Sequence, residues 1–364
     1  MKKLKNMKAI IPGLLVFLIC LSSYSYSQNR TVVSIKGDQF YINGKVTYEG
    51  RNWNGNKIEG LLFNSRMVQG IFDDLNPETR EKFKYPDTGV WDPERNTIEF
   101  TKAMPDWKSH GLLAFTLNLQ GGSPIGYGNL GWVNSTFDAS GNLRTDYVNR
   151  LEKILNKADE LGMVVILGYF YFGQDEQLKD ENAVINAVDN ITNWIIQKGY
   201  RNVIIEINNE CDINYDHKIL QPARVTELIE RVQKMSSHKL LVGTSFSGNK
   251  VPTDNVIKSS DFILIHGNGI SNPAGITALV EKTRSSNSYT PKPVLFNEDD
   301  HYNFDKKSYN LLSAIESYAS WGFFDYRHEG EGFEQGYQSV PVDWKISSER
   351  KKSFFNKLKE ITGY

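Results

Sequence analysis

The sequence predicts an α/β protein of the (β/α)8 barrel (TIM barrel) class, with a short N-terminal β-hairpin. Three observations lead there. From about residue 59 onward, short apolar runs alternate with amphipathic stretches, the order that builds a parallel sheet with crossover helices. Eight such runs occur, apolar throughout rather than alternating, as in strands covered on both faces. The chain is also over 300 residues long, enough for a closed barrel, and no glycine-rich phosphate loop follows an early strand, which disfavours the open doubly wound sheet.

Taken in order, the first 27 residues read as an export signal. Lys2, Lys3, Lys5 and Lys8 precede an apolar stretch, Ala9 to Leu21, and small and polar residues ending Ser25-Tyr26-Ser27. That stretch is too short for a membrane span, which needs about 20 residues. Cleavage after Ser27 and export to the periplasm or medium are expected. Lipid attachment at Cys20 is disfavoured by the bulky Ile19 before it. Residues 28–364 read as one domain, because no repeat, low-complexity run or Pro/Ser-rich linker interrupts them.

Residues 31–53 alternate in short strands about a turn at Asn43-Gly44, a hairpin signal expected to cap one end of the barrel. The eight strand-like runs are Glu59–Phe63, Leu112–Leu117, Met163–Leu167, Val203–Ile207, Lys239–Thr244, Phe262–Ile265, Pro293–Phe296 and Trp321–Phe324. Helical spacing lies between them. In Tyr147–Gly162 it places Val148, Leu151, Ile154, Leu155 and Ala158 on one face, and 183–199 and 224–235 repeat the pattern.

Composition narrows the function. Hydrophobic residues make up 40% and charged residues 23%, which excludes a disordered chain. Without the four N-terminal lysines the 42 basic residues no longer balance the 43 acidic ones, and the remainder is net negative by five. There is thus no electrostatic footprint for nucleic acid or an anionic membrane. Cys211 is the one cysteine left after the signal, so no internal disulfide is expected.

Barrel chemistry sits at the C-terminal strand ends. Two of these finish in glutamate. The fourth reads NVIIEINNECD and ends at Asn209-Glu210, and the seventh reads PVLFNEDDH and ends at Asn297-Glu298. The two glutamates are 88 residues apart, three strand–helix units of about 29, which sets them across the barrel mouth from each other. Paired carboxylates there suit glycosidic cleavage, in which one protonates the leaving oxygen and the other attacks the sugar carbon or activates water. A separation of about 5 Å would mean retention of configuration, and roughly 6.5–9.5 Å inversion.

These motifs resemble glycoside hydrolase family 5 and its clan A relatives over most of the chain from about Asn52 to Tyr364. The most specific is Glu206-Ile207-Asn208-Asn209-Glu210. The resemblance implies a retaining glycosidase with Glu210 as acid/base, Glu298 as nucleophile and Asn209 on the sugar 2-hydroxyl. It also implies that His266, ending DFILIH, lies beside the catalytic pair. The chain departs from the family pattern at several points. Cys211 stands where proline often follows the acid/base, and Asn268 where the family places tyrosine. Strand three offers Tyr169 and Tyr171 instead of histidine, and in WGFFDYR the platform tryptophan is replaced by Phe324, Asp325 or Tyr326. These departures point to a sister family of the clan.

Further candidates come from the residues themselves. Arg66, after the first strand, could orient the nucleophile and keep it ionised, or pair with Asp73 or Asp74. Glu206 shares a strand face with Asn208 and Glu210 and reads as a buried structural partner for an arginine. Asn118 and Gln120 end the second strand and could bind sugar hydroxyls. Aromatic residues of the long loops, foremost Trp132 and Tyr127 and with them Tyr169 and Tyr326, could stack on sugar faces. Glu298-Asp299-Asp300-His301 invites a metal, but adjacent strand residues alternate sides, so no metal and no cofactor is expected. The alternatives to a two-glutamate glycosidase of carbohydrate substrate are a non-catalytic carbohydrate-binding barrel and a metal-dependent barrel hydrolase.

Overall fold

A computed structural model describes residues 30–128 and 131–364. The expected signal segment, with Cys20, lies outside the described residues. Eight parallel strands form the barrel: β1 (Asn64–Arg66), β2 (Ala114–Asn118), β3 (Val164–Tyr171), β4 (Val203–Asn209), β5 (Leu241–Gly243), β6 (Ile263–His266), β7 (Val294–Glu298) and β8 (Gly322–Phe323). Six of them run in one sheet in the order β5-β4-β3-β2-β1-β8, and β6 pairs with β7. One row of registered residues crosses five strands, Arg66, Thr116, Ile166, Ile204 and Leu241. The ring is completed by a hydrogen bond from Asp261 N to Val242 O (2.9 Å) and by parallel bridges Leu295–Ser320 and Asp299–Phe323.

The crossover helices are α1 (Pro93–Ser109), α2 (Thr145–Leu161), α3 (Glu181–Lys198), α4 (Val225–Met235), α5 (Asp254–Ser259), α6 (Ala274–Arg284), α7 (Asn310–Glu316) and α8 (Glu349–Thr362). Their ends are encoded locally. Asp180 accepts from Ala183 N at the start of α3, and Asp92 accepts from Arg95 N just ahead of Pro93 in α1. Gly162 and Gly199 close α2 and α3 in the left-handed conformation that costs glycine nothing. Leu151, Ile154, Leu155 and Ala158 of α2 are all fully buried, as the helical spacing predicts.

The N-terminal strands Val33–Lys36, Gln39–Ile42 and Lys45–Val46 form an antiparallel meander. Its second turn is made by Asn43 (φ 52°) and Gly44 (φ 77°), both left-handed, as a two-residue hairpin turn of matching twist requires. Val33 N binds Arg201 O ahead of β4, and Phe40 packs on Phe262 ahead of β6, so the meander closes the N-terminal end of the barrel. The opposite end is left for the long loops.

The first barrel strand differs from its expected place. The apolar run ending at Phe63 leads into the ladder, but the paired residues are Asn64, Ser65 and Arg66, all buried. Backbone pairing does not depend on side-chain polarity, and a strand end inside a barrel mouth can carry polar groups. The shift makes Arg66 a rigid strand-end residue. No helix among the described residues is long and apolar enough to cross a membrane.

Candidate active site

The C-terminal mouth gathers five polar side chains from four strand ends. Arg66 (β1), Asn209 and Glu210 (β4), His266 (β6) and Glu298 (β7) are all buried, with 8% of Glu210 and 4% of Glu298 exposed. The chain leaves β4 at Glu210 with φ 53°, a left-handed conformation that costs a non-glycine residue roughly 1–2 kcal/mol. Ser245, after β5, holds that turn by accepting from Glu210 N through its Oγ (2.9 Å).

The two carboxylates meet through His266. Its Nδ1 is 2.9 Å from Glu210 Oε1 and 3.7 Å from Glu298 Oε2. One oxygen from each glutamate and a ring nitrogen of His266 all lie within 4.8 Å of one another. Arg66 Nε stands 3.0 Å from Glu298 Oε2 and also donates to Gln338 Oε1 (2.8 Å), while its other arm donates to Asn209 Oδ1 (3.1 Å). That last bond turns the Asn209 amide so that Nδ2 is left without a partner. Asn268 Nδ2 donates to Glu298 Oε1. Sequence reasoning placed Asn268 at this strand end as a departure from the family pattern without seeing this contact, and Gln338, on the long loop after β8, carried no signal at all.

The electrostatics follow from burial against compensation. Burial raises the Glu298 pKa and the charge of Glu210 adds to it, while Arg66, His266 and Asn268 pull it back; the direction remains upward. Burial works against the His266 imidazolium, but Glu298, Glu210 and Glu206 together lift its pKa above the ordinary value. Arg66 is held charged by Glu298 despite its burial. The arginine partner expected for Glu206 is not found among the described residues: Glu206 is fully buried, its Oε2 accepts from Asn297 (3.2 Å), and only its charge bears on Arg66.

The remaining sequence-predicted residues divide. Arg66 is at Glu298 and not at Asp73, which pairs with Arg80 instead. Asn118 is buried against Gly168 with neither amide atom partnered. Gln120 is a structural tie, donating to Ser135 Oγ and Gln174 O (both 3.1 Å). Trp132 is 3% exposed and packs on Phe83, so it offers no open face. Tyr169 turns away from the mouth, its hydroxyl 3.1 Å from Thr192 Oγ1 on α3; the neighbour that reaches the site is Tyr171, which senses Arg66, Glu298 and Glu210 and lies 3.2 Å from Ser123 Oγ. Tyr326 is half-buried in an aromatic group with Tyr127, Phe324 and His328. Burial pushes the Cys211 thiol well above its ordinary pKa, leaving it inert.

Among the described residues two groups have the donor types for a metal ion, Glu210 with His266 and Glu298, and Asp299 with Asp300 and His301. In the first, Arg66 sets a fixed positive charge 3.0 Å from Glu298, against any cation there. In the second, Asp299 is already engaged by His301 Nδ1 (2.7 Å), Trp321 Nε1 (2.9 Å) and Asn310 Nδ2 (3.0 Å).

The molecule is thus a (β/α)8 barrel with a carboxylate pair at its C-terminal mouth. Solved structures share this fold. A glycoside hydrolase of family 5 from Bacteroides vulgatus is similar with a TM-score of 0.57 and 14% identity, over 91% of this chain and 71% of that one. A broad-specificity family 5 endoglucanase from Bacteroides salanitronis gives 0.53 and 12%, over 83% and 93%. A family 5 mannosidase from Rhizomucor miehei gives 0.53 and 11%, over 92% and 98%. At these identities the likeness is one of fold. No protein-family model matches the chain, and no curated protein matches it in sequence.

Proposed function

We propose that the protein is a retaining hydrolase of β-linked glycosides, with Glu298 as nucleophile and Glu210 as acid/base. The observation that carries this reading is that one oxygen of each glutamate lies within 4.8 Å of the other, nearer the spacing of about 5–5.5 Å between the carboxyl groups of a retaining pair than the roughly 6.5–9.5 Å of an inverting one. In the first step a Glu298 oxygen bonds to the anomeric carbon as the glycosidic bond breaks, and Glu210 gives its proton to the departing oxygen. In the second, Glu210, now ionised, takes a proton from water, whose oxygen attacks the same carbon and releases Glu298. The free Nδ2 of Asn209 is available to a sugar hydroxyl beside the reacting carbon. Arg66 and His266 stabilise the ionised nucleophile that burial opposes. Family 5 barrels among the similar folds, and an export signal that would deliver the enzyme to polymeric carbohydrate, support the same assignment.

The test is sugar release from β-glucans, β-mannans, xylans and aryl β-glycosides, with Glu298→Gln run beside wild type and both assayed with a chelator. Turnover that is lost in the variant and indifferent to the chelator supports the proposal. Turnover that survives the substitution overturns the role of Glu298, and turnover abolished by the chelator moves the assignment to metal-assisted hydrolysis. Saturable sugar binding without turnover makes the barrel a binding protein.

A further inference from the structure

The walls of the mouth are unequal. The loops that follow β1, β2 and β8 span 26, 26 and 25 residues before the next crossover helix begins, while those after β5 and β6 span ten and seven. The long ones are joined to each other across the mouth. Tyr127, on the loop after β2, donates from Oη to Asp300 Oδ2 (2.9 Å), two residues past Glu298 at the end of β7. Its ring packs edge-on against Phe324 (5.7 Å, 89°) and lies 4.6 Å from Tyr326, both beyond β8. Three residues earlier, Pro124 O accepts from Val340 N (2.9 Å) on the loop after β8. The loop after β2 is therefore bonded across β1 to the loops after β7 and β8. The wall stands directly on the surroundings of Glu298, because Arg66 lies 5.6 Å from the Phe324 ring and donates to Gln338 on the same loop.

The short loops make no such span. Ser247 is tied to Asp212 on the neighbouring loop after β4, and Asn249 N binds back to His266 O. The mouth is walled over β8, β1 and β2, starting beside Glu298, and low over β5 and β6, starting beside Glu210, whose own loop after β4 spans 15 residues.

Reaction geometry gives the two sides different meanings. The attacked sugar lies between the carboxylates, and the leaving group departs away from the nucleophile toward the acid that protonates it. The part of the substrate beyond the attacked sugar on its non-reducing side then meets the wall, and the leaving chain passes over the low side. We infer that the enzyme is exo-acting, removing the terminal sugar from the non-reducing end of β-linked chains, with the Tyr127–Asp300 span closing the far side. This rests on the hydrolase reading above and deepens it by naming the mode of attack.

The experiment uses the wild-type protein and tetra- to hexasaccharides of the cleaved linkage carrying a fluorescent tag at the reducing end. Early products are separated by chromatography. The expected result is free monosaccharide with a tagged product one unit shorter, together with turnover of aryl monoglycosides. Tyr127→Ala, which removes the span, raises the ratio of internal to terminal cleavage about tenfold. Tagged mono- or disaccharide released early from the hexamer by an active enzyme overturns the exo assignment and leaves the hydrolase standing. An unchanged ratio in Tyr127→Ala overturns the role given to the span. A protein that turns over none of these substrates overturns the hydrolase reading itself.

Discussion

Arg66 Nε lies 3.0 Å from Glu298 Oε2, and almost nothing of either side chain reaches solvent. A buried pair of this kind is poor evidence for stability, because desolvating two charges consumes most of what their attraction returns. Its value here is positional. Two nitrogens of one guanidinium plane address three groups, Nε facing Glu298 and Gln338 and Nη2 donating to Asn209, and together they hold the nucleophile and the sugar-facing amide in one geometry.

Replacement of Arg66 by lysine keeps a charge and loses the fork, so kcat/KM is expected to fall about a hundredfold. The pH profile carries the sharper prediction. Burial raises the Glu298 pKa and the charge of Arg66 lowers it, so Arg66→Gln, which removes that charge, raises it further. The ionised nucleophile is lost as pH falls through that pKa, and the acid limb of kcat/KM moves to higher pH. An acid limb that stays in place shows that Arg66 does not set the ionisation of Glu298.

The two glutamates are expected to fail differently. Glu210→Gln should cost about a thousandfold on substrates with poor leaving groups and little on activated aryl glycosides, and added azide should restore turnover by replacing the water that no longer has a base. Glu298→Gln should be inactive on both, because no bond to the anomeric carbon can form. Equal losses on the two substrate classes would remove the distinction in role.

Asp175, on the loop after β3, is fully buried, and burial lifts its pKa from 3.8 to about 6 even though it accepts from Asp216 N (2.9 Å). A carboxyl raised on folding contributes stability below its unfolded pKa and loses it as pH climbs through the folded value. Wild type therefore gives up on the order of 2–3 kcal/mol between about pH 4 and 7 at this residue. Asp175→Asn keeps the acceptor without the charge, so the Tm of the variant relative to wild type should rise over that interval. A difference independent of pH would mean the carboxyl does not titrate there.

Tyr169→Phe removes a hydroxyl whose partner is Thr192 on α3. The expected loss is about 1 kcal/mol of stability in denaturant unfolding, with kinetics unchanged. A fall in kcat/KM with stability intact would return Tyr169 to the mouth.

The comparison of Tyr169 with Tyr171 shows where the sequence stops being legible. Both were visible as aromatic residues ending the third strand, and strand alternation alone puts residues two apart on one face. The structure separates them, sending Tyr169 to the helix layer and Tyr171 to the mouth, where Gly122 and Ser123 of the loop after β2 receive its ring. Trp132 misled for a related reason, since a loop aromatic flanked by polar residues and glycines looks exposed until Phe83, some fifty residues earlier, packs against it.

By itself the sequence determined the barrel, the hairpin that closes its lower end, and the candidate pair at the fourth and seventh strand ends. Each of these is written in local information: apolar periodicity, an Asn-Gly turn, and motifs whose place follows from the strands that carry them. Tertiary structure decided the rest. That His266 bridges the two glutamates, that Arg66 pairs with Glu298 and not with Asp73, that Asn268 and Gln338 complete the shell, and that Tyr127 reaches Asp300 across the mouth are contacts between residues tens to hundreds of positions apart. Such contacts depend on strand register and loop path, which come from packing the whole ring at once, and no local pattern of residues encodes them.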